Sequence, residues 1–219
     1  METNRVPFKG VEENEAIRSI LEGTSSEVGE AFFESLVENL SKVLHTYGAW
    51  VTEYVEDTKR LRSIAFYLGG GRLKSFDYPI TGTACELVVE QKRLVHIRDR
   101  LFEKFQGNPE IKSALPDLQA VSYLGIPFED TDGTILGHLS VIDRLPIPED
   151  TQVFNVFRIF ANRASAEMRR MRAEKEILQR EEKLRRLFDS AMDAIIEFDS
   201  AFKVTRLNPA AAKLFGYGS

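Results

Sequence analysis

The sequence predicts an α+β fold: a mainly antiparallel sheet of about six strands, helices packed on it, and a long helix towards the C-terminal end. Three observations carry that expectation. Apolar residues recur at helical spacing through "EAFFESLVENLSKVLHTYG" (residues 30–48). β-Branched and aromatic runs, cut by turn residues, fill residues 49–144. A charge-rich segment with apolar residues at helical and then heptad spacing follows from residue 149.

The chain has 219 residues, 43% hydrophobic and 29% charged, as an ordinary soluble globular protein has. A net charge of −5 argues against a dedicated nucleic-acid surface, so no direct nucleic-acid contact is expected. One cysteine makes no internal disulfide, which fits a reducing cytoplasm. The opening "METNRVPFKGVEENEAIRS" lacks the apolar core of a signal peptide. No apolar run nears the roughly 18 residues of a membrane span, so no membrane contact is expected from this segment.

The elements follow in order. Residues 1–24 read as an arm with a short helix from Val11 to Leu21. Thr24, Ser25 and Ser26 offer caps for the next helix, whose stripe is Phe33, Leu36, Val37, Leu40, Val43, Leu44 and Tyr47. Gly48 is its expected stop. "AWVTEYVE" and "RSIAFYL" read as strands parted at Asp57–Thr58, and Gly69-Gly70-Gly71 turns the chain into "LKSFDYPI". In "TGTACELVVEQKRLVHIRD" (residues 81–99), Thr83 to Glu86 spells a capping box, with Thr83 capping and Glu86 reaching back. Leu87 and Val88 then face the sheet, "LVHI" is a strand, and Asp99 caps a short helix that lays Leu101, Phe102 and Phe105 on the sheet. "AVSYLGIPF" and "TILGHLSVID" flank "EDTDG", where Asp132–Gly133 marks a hairpin. The helices are expected on one face of the sheet.

Residues 149–187 predict a long helix with a sheet-facing stripe of Phe157, Phe160, Ala161, Ala164, Met168 and Met171. Ile177, Leu184 and Ala191 keep a seven-residue spacing, with Ala173 and Leu187 near the other seam. That suits a short two-stranded coiled coil with a register shift near Met171 to Ile177. A solvated single helix is the alternative. Interleaved glutamates cancel most of the field of Arg169, Arg170, Arg185 and Arg186. Residues 188–219 begin a helix, a strand "AIIEF", a strand "KVTRLN", and a helix "PAAAKLFGY" with Pro209 in its first turn. About thirty residues cannot bury a core, so a second domain continuing past Ser219 is expected.

Candidate chemistry is sparse. "GGGRLKS" (residues 69–75) lacks the Gly-Lys pair of a phosphate loop, since Leu73 precedes Lys74, and its context is strand–turn–strand. His45, His96 and His138 are far apart in sequence and Cys85 stands alone, so no metal or haem cluster is expected. A Cys85–His96 nucleophilic pair lacks an orienting third group. Cys85 in a first helical turn reads as packed wall. A helix N-terminus also lowers thiol pKa, which leaves redox sensing open.

"TGTACELVVEQKRLVHIRD", then "YLGIPFEDTDGTILGHLSVIDRLPI", then the long exit helix, resemble a GAF domain over residues 25–172. The likeness is to GAF sensors of formate-responsive activators and bacterial multi-domain sensors. Residues 188–219 resemble the start of a PAS domain, through "DAIIEFD", the Asn-Pro of "RLNPAAA" and the closing "FGY". The expected division is an arm at 1–24, a GAF domain at 25–172, a coiled-coil linker at 173–187 and a truncated PAS domain at 188–219. Bilin-binding relatives carry Cys followed by His, whereas Glu86 follows Cys85 here. The Asn-Lys…Phe…Asp-Glu set of cyclic-nucleotide GAF domains is missing, and GAF-related methionine sulfoxide reductases use several cysteines. Bilin, haem and cyclic nucleotide are therefore not expected, and no cofactor is named. The resemblance implies a pocket between sheet and covering helices, at Ala65, Tyr67, Thr83, Cys85, Ile97, Leu101, Phe105, Tyr123 and Ser140. It implies a homodimer signalling through Met168, Met171, Ile177, Leu184 and Leu187. The implied function is small-molecule sensing, relayed to the PAS domain and an output domain such as a kinase, diguanylate cyclase or transcriptional activator. A ligand-free dimerisation spacer is the rival reading.

Overall fold

The computed structural model describes residues 27–105 and 118–216, with Arg18 and Pro109 as isolated positions. The expected helix at Val11–Leu21 and the caps at Thr24 to Ser26 lie outside the described residues, apart from Arg18. The chain divides into two compact units, 1–169 and 170–219.

In the larger unit, helix α1 (Gly29–Val43) buries Phe32, Phe33, Leu36, Val37 and Leu40. Its first amide, on Gly29, donates to Glu167 Oε1 at 2.6 Å, so a carboxylate meets the positive end of the helix. The helix ends earlier than Gly48: Leu44 is the cap and His45 turns left-handed at φ 53°. Gly48 instead opens the first strand, where an added Cβ would sit 2.6 Å from Leu68 Cδ1 and 2.9 Å from the Tyr67 carbonyl oxygen. It is needed for close strand packing, not for stopping a helix.

The strands are β1 (Gly48–Val55), β2 (Arg60–Leu68), β3 (Gly71–Arg72), β4 (Asp77–Pro79), β5 (Val95–Ile97), β6 (Ser122–Glu129) and β7 (Ile135–Asp143). They form one seven-stranded antiparallel sheet in the order β3-β2-β1-β7-β6-β5, with β4 also on β2. The β6–β7 hairpin turns through Gly133 at φ 82°, as Asp132–Gly133 predicts. Helices α2 (Ala84–Gln91) and α3 (Leu101–Lys104) cover one face of the sheet, and α1 covers the other. The long helix α4 (Thr151–Ser190) begins beside α1, with the Arg163 guanidinium 5.0 Å from the Phe32 ring centroid. The expectation of helices on one face is thus overturned. Every residue of β7 is buried, and β1 buries both Trp50 and Val51, so both faces require an apolar cover.

A bulge in β2 resets the pattern of that strand. Val51 pairs with Ala65 while Thr52 pairs with Ser63, which leaves Ile64 unopposed. Phe66 and Leu68 therefore face α2 along with Leu61, and Ala65 and Tyr67 face α1. β7 holds a different constraint. A Cβ added at Gly137 would fall on the Thr52 carbonyl oxygen of β1. Beside it, His138 is fully buried with Nδ1 2.5 Å from Thr52 Oγ1, and burial pushes its pKa down to about 3.

In the smaller unit, β8 (Ile196–Phe198) pairs with β9 (Val204–Leu207), and α5 (Pro209–Phe215) follows. Asn208 is the organising residue. Its Oδ1 accepts from the amides of Ile195 at 2.9 Å and Ala211 at 2.8 Å, and its Nδ2 donates to the Asp193 carbonyl at 2.8 Å. It caps α5 with Pro209 in the first turn, where a missing N–H costs nothing.

Two predictions follow from the sheet. Gly137→Ala destabilises the protein by about 2–4 kcal/mol, because the clash is with backbone. Gly133→Ala meets open space and costs only the left-handed conformation, about 1–2 kcal/mol. Chemical denaturation of both variants checks the order, and equal losses would contradict it. The second concerns pH. The unfolded chain protonates this histidine near its usual 6.5, whereas the folded chain keeps His138 neutral down to about 3. Stability from the neutral ring is full above pH 6.5 and is lost as pH falls through the window from 6.5 to 3. Between pH 7 and pH 4 the wild-type protein should lose roughly 3 kcal/mol more than His138→Gln. Parallel losses would mean that another group sets the acid limit.

Candidate functional site

A cavity of about 100 Å³ lies between the sheet and the α2–α3 side of the larger unit. Its floor is the central strands. Trp50 of β1 and Phe66 of β2 are register partners, and their rings stack at 5.1 Å with planes 9° apart. The aromatic wall continues from Phe66 to Phe76 at 5.4 Å and from Phe76 to Tyr78 at 5.4 Å. Tyr123 of β6 closes the other side, 6.1 Å from Trp50, next to Ile142 of β7. Thr83 and Cys85 form the rim under the start of α2, and Leu101 and Phe105 bound α3.

Glycine decides where Tyr123 lies. A side chain at Gly125 would collide with the Tyr123 phenol, so the ring lies along β6 over that residue. Its hydroxyl then reaches Ser140 Oγ at 2.8 Å and Cys85 Sγ at 3.6 Å. Tyr78 Oη approaches the same sulfur at 3.7 Å. Burial raises the Cys85 pKa despite three hydroxyl partners that favour the thiolate. Burial likewise holds both tyrosine pKa values well above the usual phenol. Among the described residues the wall therefore carries hydroxyls and a thiol but no charge at neutral pH. The Trp50 indole N–H is buried on the side of Tyr78, whose ionised form it favours.

The rim differs in detail from the capping box read in the sequence. Thr83 is the N-cap residue of α2, but its hydroxyl donates to the Ile80 carbonyl at 2.5 Å and does not cap the helix. Glu86 reaches back one residue further, to the Gly82 amide at 2.8 Å. The helix α3 is preceded by Arg100 at φ 56° in the cap position expected for Asp99.

Of the residues expected at the pocket, Thr83, Cys85, Leu101, Phe105 and Tyr123 surround the cavity. Ile97 is buried in the same core cluster without lining it, and Ser140 stands behind Tyr123 as its hydrogen-bond partner. Ala65 and Tyr67 do not belong there: the β2 bulge turns them to the α1 face, where Tyr67 borders a separate surface cleft with Lys42 and His45. Phe66, between them, takes their place. Sequence reasoning also missed Trp50, Phe76, Tyr78 and Ile142. The alternation of Phe76 and Tyr78 across Asp77 was a usable signal for two of them. His96 points to the opposite face from Cys85, with Nε2 3.0 Å from the Ile147 carbonyl and its ring against Phe154 of α4. Along α4, Met168 is buried and Met171 partly so, whereas Ile177, Leu184 and Leu187 are 55%, 66% and 59% exposed.

Comparison with known proteins places both units. Residues 182–219 match a family model described as PAS domain. No curated protein matches the chain. Among solved structures, the GAF domain of a phosphoenolpyruvate-protein phosphotransferase from Coxiella burnetii is similar at 18% identity and a TM-score of 0.61, over 80% of this chain and 99% of that one. The GAF domain of the corresponding Acinetobacter enzyme is similar at 13% identity and a TM-score of 0.58, over 75% and 97%. The free methionine-R-sulfoxide reductase of Neisseria meningitidis, solved with its substrate, is similar at 15% identity and a TM-score of 0.57, over 74% and 91%. The larger unit thus has the fold of a GAF domain, and the chain passes from it into a segment that matches the PAS domain family.

Proposed function

We propose that this chain is a sensory module of a signalling protein, in which a small molecule held under α2 and α3 biases a dimer and α4 passes that bias towards the PAS segment. The observation that carries the reading is the aromatic cavity in a unit of GAF fold. Its walls converge on buried polar atoms, as ligand sites do. The path outward runs through β5 and the loop before α4. The cavity borders Leu101, which follows β5 closely, and His96 of β5 contacts both Ile147 and Phe154. A ligand that binds one arrangement of this corner more tightly than another shifts the population of both. The output domain in this reading is a kinase, a diguanylate cyclase or a transcriptional activator.

Dimerisation rests on α4. Ile177 and Leu184 are seven residues apart and exposed, and Leu187 lies on the adjoining seam. Pairing two chains in parallel would bury each at roughly 1.5–3 kcal/mol per side chain. Flanking ion pairs, such as Arg186 with Glu182 at 2.8 Å, leave the seam itself apolar. Catalysis is not part of this reading. Cys85 is buried and its pKa is raised, the reverse of what a nucleophilic thiol needs.

Two measurements test the reading. Ile177→Lys combined with Leu184→Lys should convert the 219-residue chain from dimer to monomer in sedimentation equilibrium, with near-ultraviolet circular dichroism unchanged because both side chains are exposed in one chain. A double variant that stays dimeric would reduce α4 to a linker. Cys85→Ser should fold with a loss on the order of 1 kcal/mol and keep its ligand response. Loss of response at unchanged stability would assign the thiol a sensing role.

A further inference from the structure

The chain between β7 and α4 reads Arg144-Leu145-Pro146-Ile147-Pro148-Glu149-Asp150. Its two prolines carry no N–H, so Ile147 supplies the one backbone donor of residues 146–148. Each proline also disfavours helical backbone in the residue before it, so Leu145 and Ile147 are both biased to extended geometry. The segment is a stiff strap before it touches anything.

The strap meets β5, the edge strand of the sheet. The Ile147 amide donates to the Arg98 carbonyl at 3.2 Å, and the Ile147 carbonyl accepts from His96 Nε2 at 3.0 Å. The Ile147 side chain is fully buried, and it is the only buried one from Arg144 to Gln152. Upstream, Leu145 is tied to the β6–β7 pair: its amide donates to Asp143 Oδ1 at 2.8 Å, and its carbonyl accepts from Ser122 Oγ at 2.7 Å. Downstream, Asp150 caps α4, with Oδ1 on the Gln152 amide at 2.7 Å and its carbonyl on the Phe154 amide at 3.1 Å. The strap thus has a fixed hinge at Leu145, a single plug at Ile147, and the head of a helix three residues further on.

A segment held by so few buried contacts opens at lower cost than the core. The rest of α4 rests on an apolar face, with Val156, Phe157 and Phe160 fully buried, and packed helices slide on such faces by small steps. The strap opposes that slide, because it ties the head of the helix to a strand edge. We infer that residues 146–148 form a releasable latch: docked on β5 they fix the head of α4, and undocked they free its first turn while the sheet stays folded. The consequence of release for signalling rests on the reading that α4 is the relay; the latch itself does not.

Ile147 is flanked by residues without amides, so its own amide reports the latch. Hydrogen exchange followed by NMR on the 219-residue chain should show Ile147 and residues 154–157 exchanging about tenfold or more faster than Leu139 and Val141 of β7. In urea below the unfolding midpoint, the latch group should respond weakly and β7 steeply, because a local opening exposes little surface. Ile147→Ala, which keeps both backbone bonds and removes the plug, should speed the latch group about tenfold or more. Val37→Ala, in the α1 core, should speed β7 and leave the latch group within about twofold, since the latch opens without disturbing that core. If a variant does not fold, the wild-type rates and their urea dependence decide alone. Ile147 exchanging in step with β7, at equal urea dependence or with equal acceleration in Val37→Ala, would overturn the latch and leave Ile147 an ordinary core residue. No probe is present, so the outcome is independent of whether the cavity binds one.

Discussion

Strand β1 lies between β2 and β7, so its backbone is hydrogen-bonded on both edges and its side chains need apolar cover on both faces. The rest of the larger unit depends on that constraint. Val51 faces α1, while Trp50 faces α2 and α3. The two covers differ in kind. The α1 side is a filled aliphatic and phenylalanine core, with Phe32, Phe33, Leu36 and Leu40 fully buried. The α2–α3 side is built from large rings that meet edge and face, and rings of that size leave space between them. The cavity is a consequence of covering a two-faced sheet with aromatic residues on one side and short helices above them.

The polar atoms on the cavity side are paired with each other rather than with charges. Tyr123 with Ser140, Thr52 with His138, and Tyr78 with Cys85 satisfy most of the buried donors and acceptors without an ion pair. In a medium of low dielectric burial favours the neutral forms of Cys85, Tyr78, Tyr123 and His138: the thiol and phenols are raised and the imidazole is lowered. A buried thiol held in its neutral form is a poor nucleophile. Cys85, the most conspicuous residue of the sequence, is thereby a buried thiol whose sulfur lies 3.6 Å from the Tyr123 hydroxyl and 3.7 Å from that of Tyr78.

Much of the fold was legible because its signals are local. The stripe of α1, the Asp132–Gly133 turn and Pro209 in the first turn of α5 each depend on residues within one or two turns of chain. What was illegible depends on partners distant in sequence. The bulge at Ile64 is visible only once Val51 and Thr52 pair with β2, and it exchanges Phe66 for Ala65 and Tyr67 at the cavity. Gly125 and Gly137 look like weak points in strands, yet one makes room for a phenol and the other for the backbone of β1. The capping box at Thr83 failed because its side chain turns back to donate to the Ile80 carbonyl, and its oxygen accepts no amide of α2. The one-face expectation for the helices failed because β7 is buried along its whole length, polar His138 and Ser140 included, which requires cover on both sides.

The account stands on a link between cavity and exit helix. Leu101 and Ile142 touch the cavity, and the segments that carry them run directly into the His96–Ile147–Phe154 corner where α4 begins. Amide hydrogen exchange on the 219-residue chain, with and without saturating cyclopentanone as a small uncharged probe of the mainly apolar cavity, tests that link most directly. The account predicts slower exchange in α2 together with altered exchange along residues 170–190 of α4. Protection confined to residues 82–105, with the helix unchanged, would contradict it and leave a binding pocket with no route to the PAS segment.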